Sequence, residues 1–196
     1  MNNSDLVNWD RTKPYNGKSI ALIGPPLIGK TTAGKIVGRN EGIPFYDLDA
    51  MVAYRAGFST PKEVAQSLGM PRFREMEYEC LSDVIDKDDR YVVALGGGIN
   101  CHSDNPDILA QSQELIGENF YNIVILPSEN GEEAADILWK RQENSPRATV
   151  TNKESFRKRI TSRMPLYYRN LDALIVTGDT FSQDKIQAIE ECLGFR

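Results

Sequence analysis

Short apolar runs recur along the chain, each ended by glycine, proline or polar residues, and segments with helical spacing lie between them. Five runs read as strands, at residues 19–23 (SIALI), 43–46 (IPFY), 91–95 (YVVAL), 119–126 (NFYNIVIL) and 173–176 (ALIV). Residues 31–37 read as a helix directly after the first. Phe73, Met76, Glu77, Cys80, Leu81, Val84 and Ile85 follow the i, i+3, i+4, i+7 pattern of a helix with one buried face. Phe156, Ile160, Met164 and Tyr167 draw a second stripe. Ile186, Ile189 and Leu193 draw a third, with Ser182 as its N-cap and Gly194 as its stop. The strands are apolar throughout rather than alternating, as strands covered on both faces are. Strand and helix in alternation then predict an α/β fold, a parallel sheet between helices. Residues 1–17 lack this periodicity. They read as an N-terminal extension, partly ordered, with Trp9 and Tyr15 positioned to dock on a single domain over 18–196.

Composition narrows the function without naming one. The 196 residues are 40% hydrophobic and 26% charged, the balance of a globular domain, and the net charge is −5. An acidic chain without a basic block is a poor match for a nucleic-acid backbone. No apolar stretch approaches the roughly 20 residues that cross a bilayer. The polar start, Met1-Asn2-Asn3-Ser4-Asp5, is no signal peptide, and with the odd count of Cys80, Cys101 and Cys192 it points to reduced, buried thiols and a cytoplasmic location. His102, the single histidine, reads as a surface or capping residue.

Gly24-Pro25-Pro26-Leu27-Ile28-Gly29-Lys30-Thr31 fits G-x-x-x-x-G-K-[ST] between a strand and a helix. In that context the backbone wraps a phosphate and the helix start adds a positive dipole end. Lys30, read as a solvated loop lysine, would neutralise the β- and γ-phosphates, Thr31 would hold Mg²⁺, and Thr32 follows at the nucleotide. Two prolines reduce the loop's supply of N–H groups. No NKxD-like motif of a GTPase is present, and the third strand ends in glycines rather than a carboxylate, which leaves a small-molecule kinase.

The acceptor side falls at the other strand ends. Asp47-Leu48-Asp49 sets two carboxylates on one side of an extended segment, one for a metal's hydration shell and one for an acceptor hydroxyl. Arg74 and Glu77, three apart, pair on one helix flank, so that the carboxylate within the apolar stripe is satisfied and the guanidinium is aimed at an anion. Gly96-Gly97-Gly98 either brings backbone close to a ligand such as a polyhydroxy substrate or forms a flexible turn. Arg163 edges the buried face of its helix.

Taken in order, residues 24–31, Asp47-x-Asp49, Phe73-Arg74-x-x-Glu77, the glycine run, Arg147 and Arg163 resemble the shikimate kinase family, over residues 18 to near the end. The resemblance implies a five-stranded parallel sheet of order 2-3-1-4-5 flanked by helices, with a mobile lid at residues 140–147. It implies transfer of the γ-phosphoryl of MgATP to the 3-hydroxyl of shikimate, by a monomer, in aromatic amino-acid synthesis. Asp47 would organise Mg²⁺ with Thr31, and Asp49 would bind the acceptor and serve as base. Arg74, Arg163 and the backbone of residues 96–98 would hold shikimate. Arg147 would swing over the phosphates, and Arg141, with Lys140 as the alternative, would stack near adenine. Many such kinases have glycine where this chain has Leu27, and the family's Arg-Pro-Leu-Leu is here Arg147-Ala148-Thr149-Val150. A gluconate-type kinase and a non-catalytic nucleotide-binding sibling are the alternatives, since a carboxylate acceptor alone does not separate the first and the departures motivate the second.

Overall fold

The computed structural model describes residues 8–87, 89–144, 152–179 and 183–195. In chain order the strands are β1 (Asn8–Arg11), β2 (Ser19–Ile23), β3 (Phe45–Asp47), β4 (Val92–Ala94), β5 (Phe120–Leu126) and β6 (Ala173–Val176). The helices are α1 (Lys30–Glu41), α2 (Leu48–Ala56), α3 (Pro61–Ile85), α4 (Pro106–Asn119), α5 (Gly131–Glu143), α6 (Lys153–Tyr167) and α7 (Gln183–Leu193). All five predicted strands form, in the order β3-β4-β2-β5-β6, which is the expected 2-3-1-4-5. Each neighbouring pair among them is parallel. Every residue of β5 is buried, as a strand covered on both faces requires.

A sixth strand was not expected. β1, from the N-terminal segment, adds antiparallel to β6, with Asn8 opposite Val176 and Arg11 opposite Ala173. The chain then runs along the body. Tyr15 packs edge-on against Tyr121 and Phe195, with centroids 5.1 and 5.7 Å apart, and its hydroxyl donates to Lys18 O at 2.7 Å. Four residues of β1 are too few for a periodicity to be read, so only pairing with β6 reveals the strand.

The three predicted stripes face one continuous core, in which Phe156, Ile160, Cys192 and Leu81 are fully buried. Cys80, Cys101 and Cys192 are all buried, and none is in a disulfide. α3 breaks at Gly69, whose φ of 81° and ψ of 160° are not helical, just before Pro71. Gly194 closes α7 in the left-handed conformation expected of a stop, while Ser182 lies outside the described residues. Among the described residues no helix is long and apolar enough to cross a membrane.

Candidate active site

The sheet order sets β4 between β2 and β3, so the loops after these three strands meet at one edge. The parallel registers align Leu22, Ala94 and Asp47 side by side at the carboxyl ends. That is where a doubly wound sheet opens a crevice.

The loop after β2 is shaped by backbone. At Gly24, φ is 149° and a Cβ would sit 2.2 Å from the carbonyl oxygen of Ile125, so no other residue fits. Gly29, with φ 95°, turns the chain into α1. Five helices begin with a side-chain cap, from Asp47, Thr60, Asn105, Asn130 and Asn152. α1 has no side-chain cap and no acidic residue in its first turn, so its first amides stay available to an anion. Leu27 has φ 66°, a left-handed conformation that costs a β-carbon-bearing residue about 1–2 kcal/mol.

Lys30 is not the solvated lysine of the sequence reading. It is 9% exposed, and its ammonium donates to Gly24 O and Pro25 O, both at 2.9 Å. Burial lowers its pKa, against the opposing pull of Asp49 and Asp47. Thr31 Oγ1 donates to Asp47 Oδ2 at 2.8 Å, and Asp47 Oδ1 accepts from Ala50 N at 3.2 Å. The extended Asp-x-Asp segment is thereby corrected. The helix starts at Leu48, so Asp47 caps it while Asp49 stands in its first turn, and the two carboxylates do different work. Burial raises the pKa of Asp49, Lys30 opposes that, Asp47 adds to it and Arg74 opposes it. A carboxylate so raised is a stronger base.

The glycine run of residues 96–98 is a packing device, each member yielding to a different neighbour. A Cβ on Gly96 would lie 2.7 Å from both Asp49 Oδ1 and Glu77 Oε1. On Gly97 it would lie 3.0 Å from Pro26 Cδ and 3.1 Å from Pro26 N, and on Gly98 2.9 Å from Arg74 Nη1. The phosphate loop, the Asp49 carboxylate and the Arg74 guanidinium therefore surround three consecutive residues.

Arg74 and Glu77 pair as expected, Nη1 to Oε2 at 2.5 Å, and both are nearly fully buried. Burial pushes the Glu77 carboxyl up to about 7, against the pull of Arg74. Arg74 also donates from Nε to Asp104 Oδ2 at 3.0 Å. Burial disfavours its charge, but Glu77 and Asp104 outweigh that and raise its pKa. Arg163 Nη1 and Tyr167 Oη both donate to Gly97 O, at 3.3 and 2.9 Å, which ties α6 to the run. Beside Arg163 opens a cavity of about 350 Å³, lined among others by His102, Asp104 and Arg159.

Three residues here escaped the sequence reading. His102 is 4% exposed, not a surface residue. Burial, then Arg74, push it down to about 4, which leaves the ring neutral. Its ring nitrogens and Arg159 Nε are buried without a hydrogen-bond partner among the described residues. Asp104 carried no signal, because Asp104-Asn105-Pro106 reads locally as a helix start. Of the predicted nucleotide side, Thr32 is exposed in the first turn of α1. Arg141, at the end of α5, donates to Leu27 O, Gly178 O and Asp179 O at 3.4, 3.0 and 2.9 Å. Arg147 lies outside the described residues.

Thr31 and Asp47 supply hard oxygens of the kind Mg²⁺ takes, and an ion that keeps its waters and binds phosphates needs few protein ligands. No group of three or more metal-binding acids, histidines or cysteines occurs among the described residues.

Comparison with known proteins bears on the same segments. The shikimate kinase family model matches residues 28–193. A shikimate kinase of Geobacter sulfurreducens is 33% identical over 140 residues, 71% of this chain and 75% of that one. One from Marinomonas sp. is 29% identical over 166 residues, 83% and 84% of the two chains. In fold, a shikimate kinase from Acinetobacter baumannii, solved in complex with shikimate, superposes with TM-score 0.71 at 22% identity, over 95% of this chain and 96% of its own. The match spans the phosphate loop from Ile28, the acidic turn, α3, the glycine run and α6, so this chain belongs to the shikimate kinase family.

Proposed function

We propose that the protein transfers the γ-phosphoryl group of ATP to the 3-hydroxyl of shikimate, giving shikimate 3-phosphate and ADP. The observation that carries this reading is the seat of Gly97. Its Cα faces Pro26 of the phosphate loop, and its carbonyl accepts from Arg163 and Tyr167 of the acceptor side. Donor and acceptor pockets thus share one wall, which suits a direct transfer between bound partners.

The nucleotide lies along residues 24–32, its phosphates against the loop amides and the open start of α1. Lys30 neutralises phosphate charge by exchanging its carbonyl partners for phosphate oxygens. Thr31 and Asp47 would hold Mg²⁺, which when bound neutralises phosphate charge. The acceptor's carboxylate meets Arg74 and Arg163, with Glu77 and Asp104 orienting the Arg74 fork and the residues 96–98 backbone lying against the ring. Asp49 accepts the hydroxyl proton as the oxygen bonds to phosphorus and ADP leaves. Arg141 borders the adenine, and Arg147 covers the transferring group. The chain works as a cytoplasmic monomer.

Purified protein should form ADP in a coupled assay with ATP, Mg²⁺ and shikimate, and turn over gluconate far more slowly. Equal turnover of gluconate, or none with shikimate, would refute the assignment.

A further inference from the structure

Leu27 occupies the left-handed region, with φ 66°, in the middle of the phosphate loop. A side chain with a β-carbon does not hold that conformation unless its surroundings impose it. Two cations supply such a constraint. Arg141 donates to Leu27 O at 3.4 Å and is itself anchored on Gly178 O and Asp179 O. Lys185, in the first turn of α7, donates to Ile28 O at 3.1 Å, and both residues are fully buried. An ammonium is costly to bury, and burial with the neighbouring Arg141 pushes this one down to about 7. Here it is spent on a backbone carbonyl of the loop.

Peptide planarity gives these contacts their consequence. In a trans peptide the N–H points opposite to the C=O of the same unit. Drawing the carbonyls of Leu27 and Ile28 toward α5 and α7 turns the amides of Ile28 and Gly29 the other way. Two prolines leave this loop short of donors, so each remaining amide counts.

We propose that Lys185, together with Arg141, is a positioning residue for nucleotide binding, a carbonyl clamp that holds the loop through its left-handed Leu27 and presents the Ile28 and Gly29 amides to phosphate. This rests on the phosphate-loop reading above, and it assigns a nucleotide-side duty to α7.

The test is a double-mutant cycle between residues 27 and 185, read as ADP affinity by calorimetry and as separate KM values for ATP and shikimate. Lys185→Met keeps length and removes the donor. Losing a bond from a charged donor should weaken ADP binding by about tenfold, while the shikimate KM stays nearly unchanged. In the Leu27→Gly background the same substitution should cost less than about twofold, because glycine holds a positive φ unaided. If Lys185→Met does not fold, Lys185→Leu, which also lacks the donor, goes through the same cycle and must show the same non-additivity. Equal losses in both backgrounds, no loss in either, or a parallel rise in the shikimate KM would overturn the clamp and leave the phosphate loop standing. A wild-type chain that binds no ADP would overturn the nucleotide site and the clamp with it.

Discussion

The two halves of the site are built from different materials. On the nucleotide side the shape is set by eight consecutive residues and mostly by main chain, through Gly24 with its neighbour Ile125 O at contact distance, the turn at Gly29 and the uncapped start of α1. On the acceptor side it is set by side chains from four segments, with Asp49 from α2, Arg74 and Glu77 from α3, Asp104 from the loop before α4 and Arg163 from α6. Backbone dipoles bind phosphate with little desolvation of side chains, whereas a charged acceptor pocket must bury ions that satisfy one another before the ligand arrives. The nucleotide half should therefore fail through lost phosphate contacts, and the acceptor half through unbalanced charge.

The sharpest break is expected where the two halves meet the transferring group. Asp49→Asn keeps the shape but removes the proton acceptor, so kcat should fall by about 10²–10⁴ while shikimate binding weakens less. Near-wild-type turnover would remove Asp49 as the base. Lys30→Ala should lower kcat by a factor on the order of 10²–10³, with circular dichroism unchanged. The core is spared because the lysine's partners, Gly24 O and Pro25 O, are groups of its own loop. A variant with normal turnover would reject the phosphate assignment.

Arg74→Ala probes the acceptor half alone. Loss of a charge-assisted bond to a carboxylate should raise the shikimate KM by about one to two decades and leave the ATP KM alone. The reverse pattern would put Arg74 on the wrong side. The smallest effect concerns charge balance. Glu77 is raised to about 7 from its ordinary 4.5 by burial. A raised carboxyl favours the folded state fully below about 4.5, and the advantage is lost as pH rises through about 7. Glu77→Gln does not titrate, so between pH 5 and pH 8 it should gain about 1–3 kcal/mol relative to wild type in urea unfolding. A relative gain by wild type would mean that Arg74 outweighs burial and holds the carboxyl down.

The same division separates what was legible in the sequence from what was not. The five strands, their parallel pairing and the phosphate loop could all be read, because apolar runs and a contiguous motif are local signals, whereas the order of the strands was implied by the family resemblance. Arg74 with Glu77 was legible because a carboxylate inside an apolar stripe demands a partner one turn away. Asp47 is extended as read, but Leu48 and Asp49 were misread as extended, because the last strand residue is also the helix cap and propensity does not place that boundary within one position. β1 was missed because its only evidence is the partner strand.

The sequence by itself determined the layered α/β class, the nucleotide half and the residue types of the acceptor half, since these follow from periodicity and spacing along the chain. Tertiary structure alone decided which charges meet. Asp104 reaches Arg74 across 30 positions, Lys185 reaches Ile28 across 157, and His102 is held neutral by burial and, after it, by Arg74. Such contacts arise where loops from non-adjacent strands converge at one sheet edge. Their strength depends on burial, which a linear pattern does not carry.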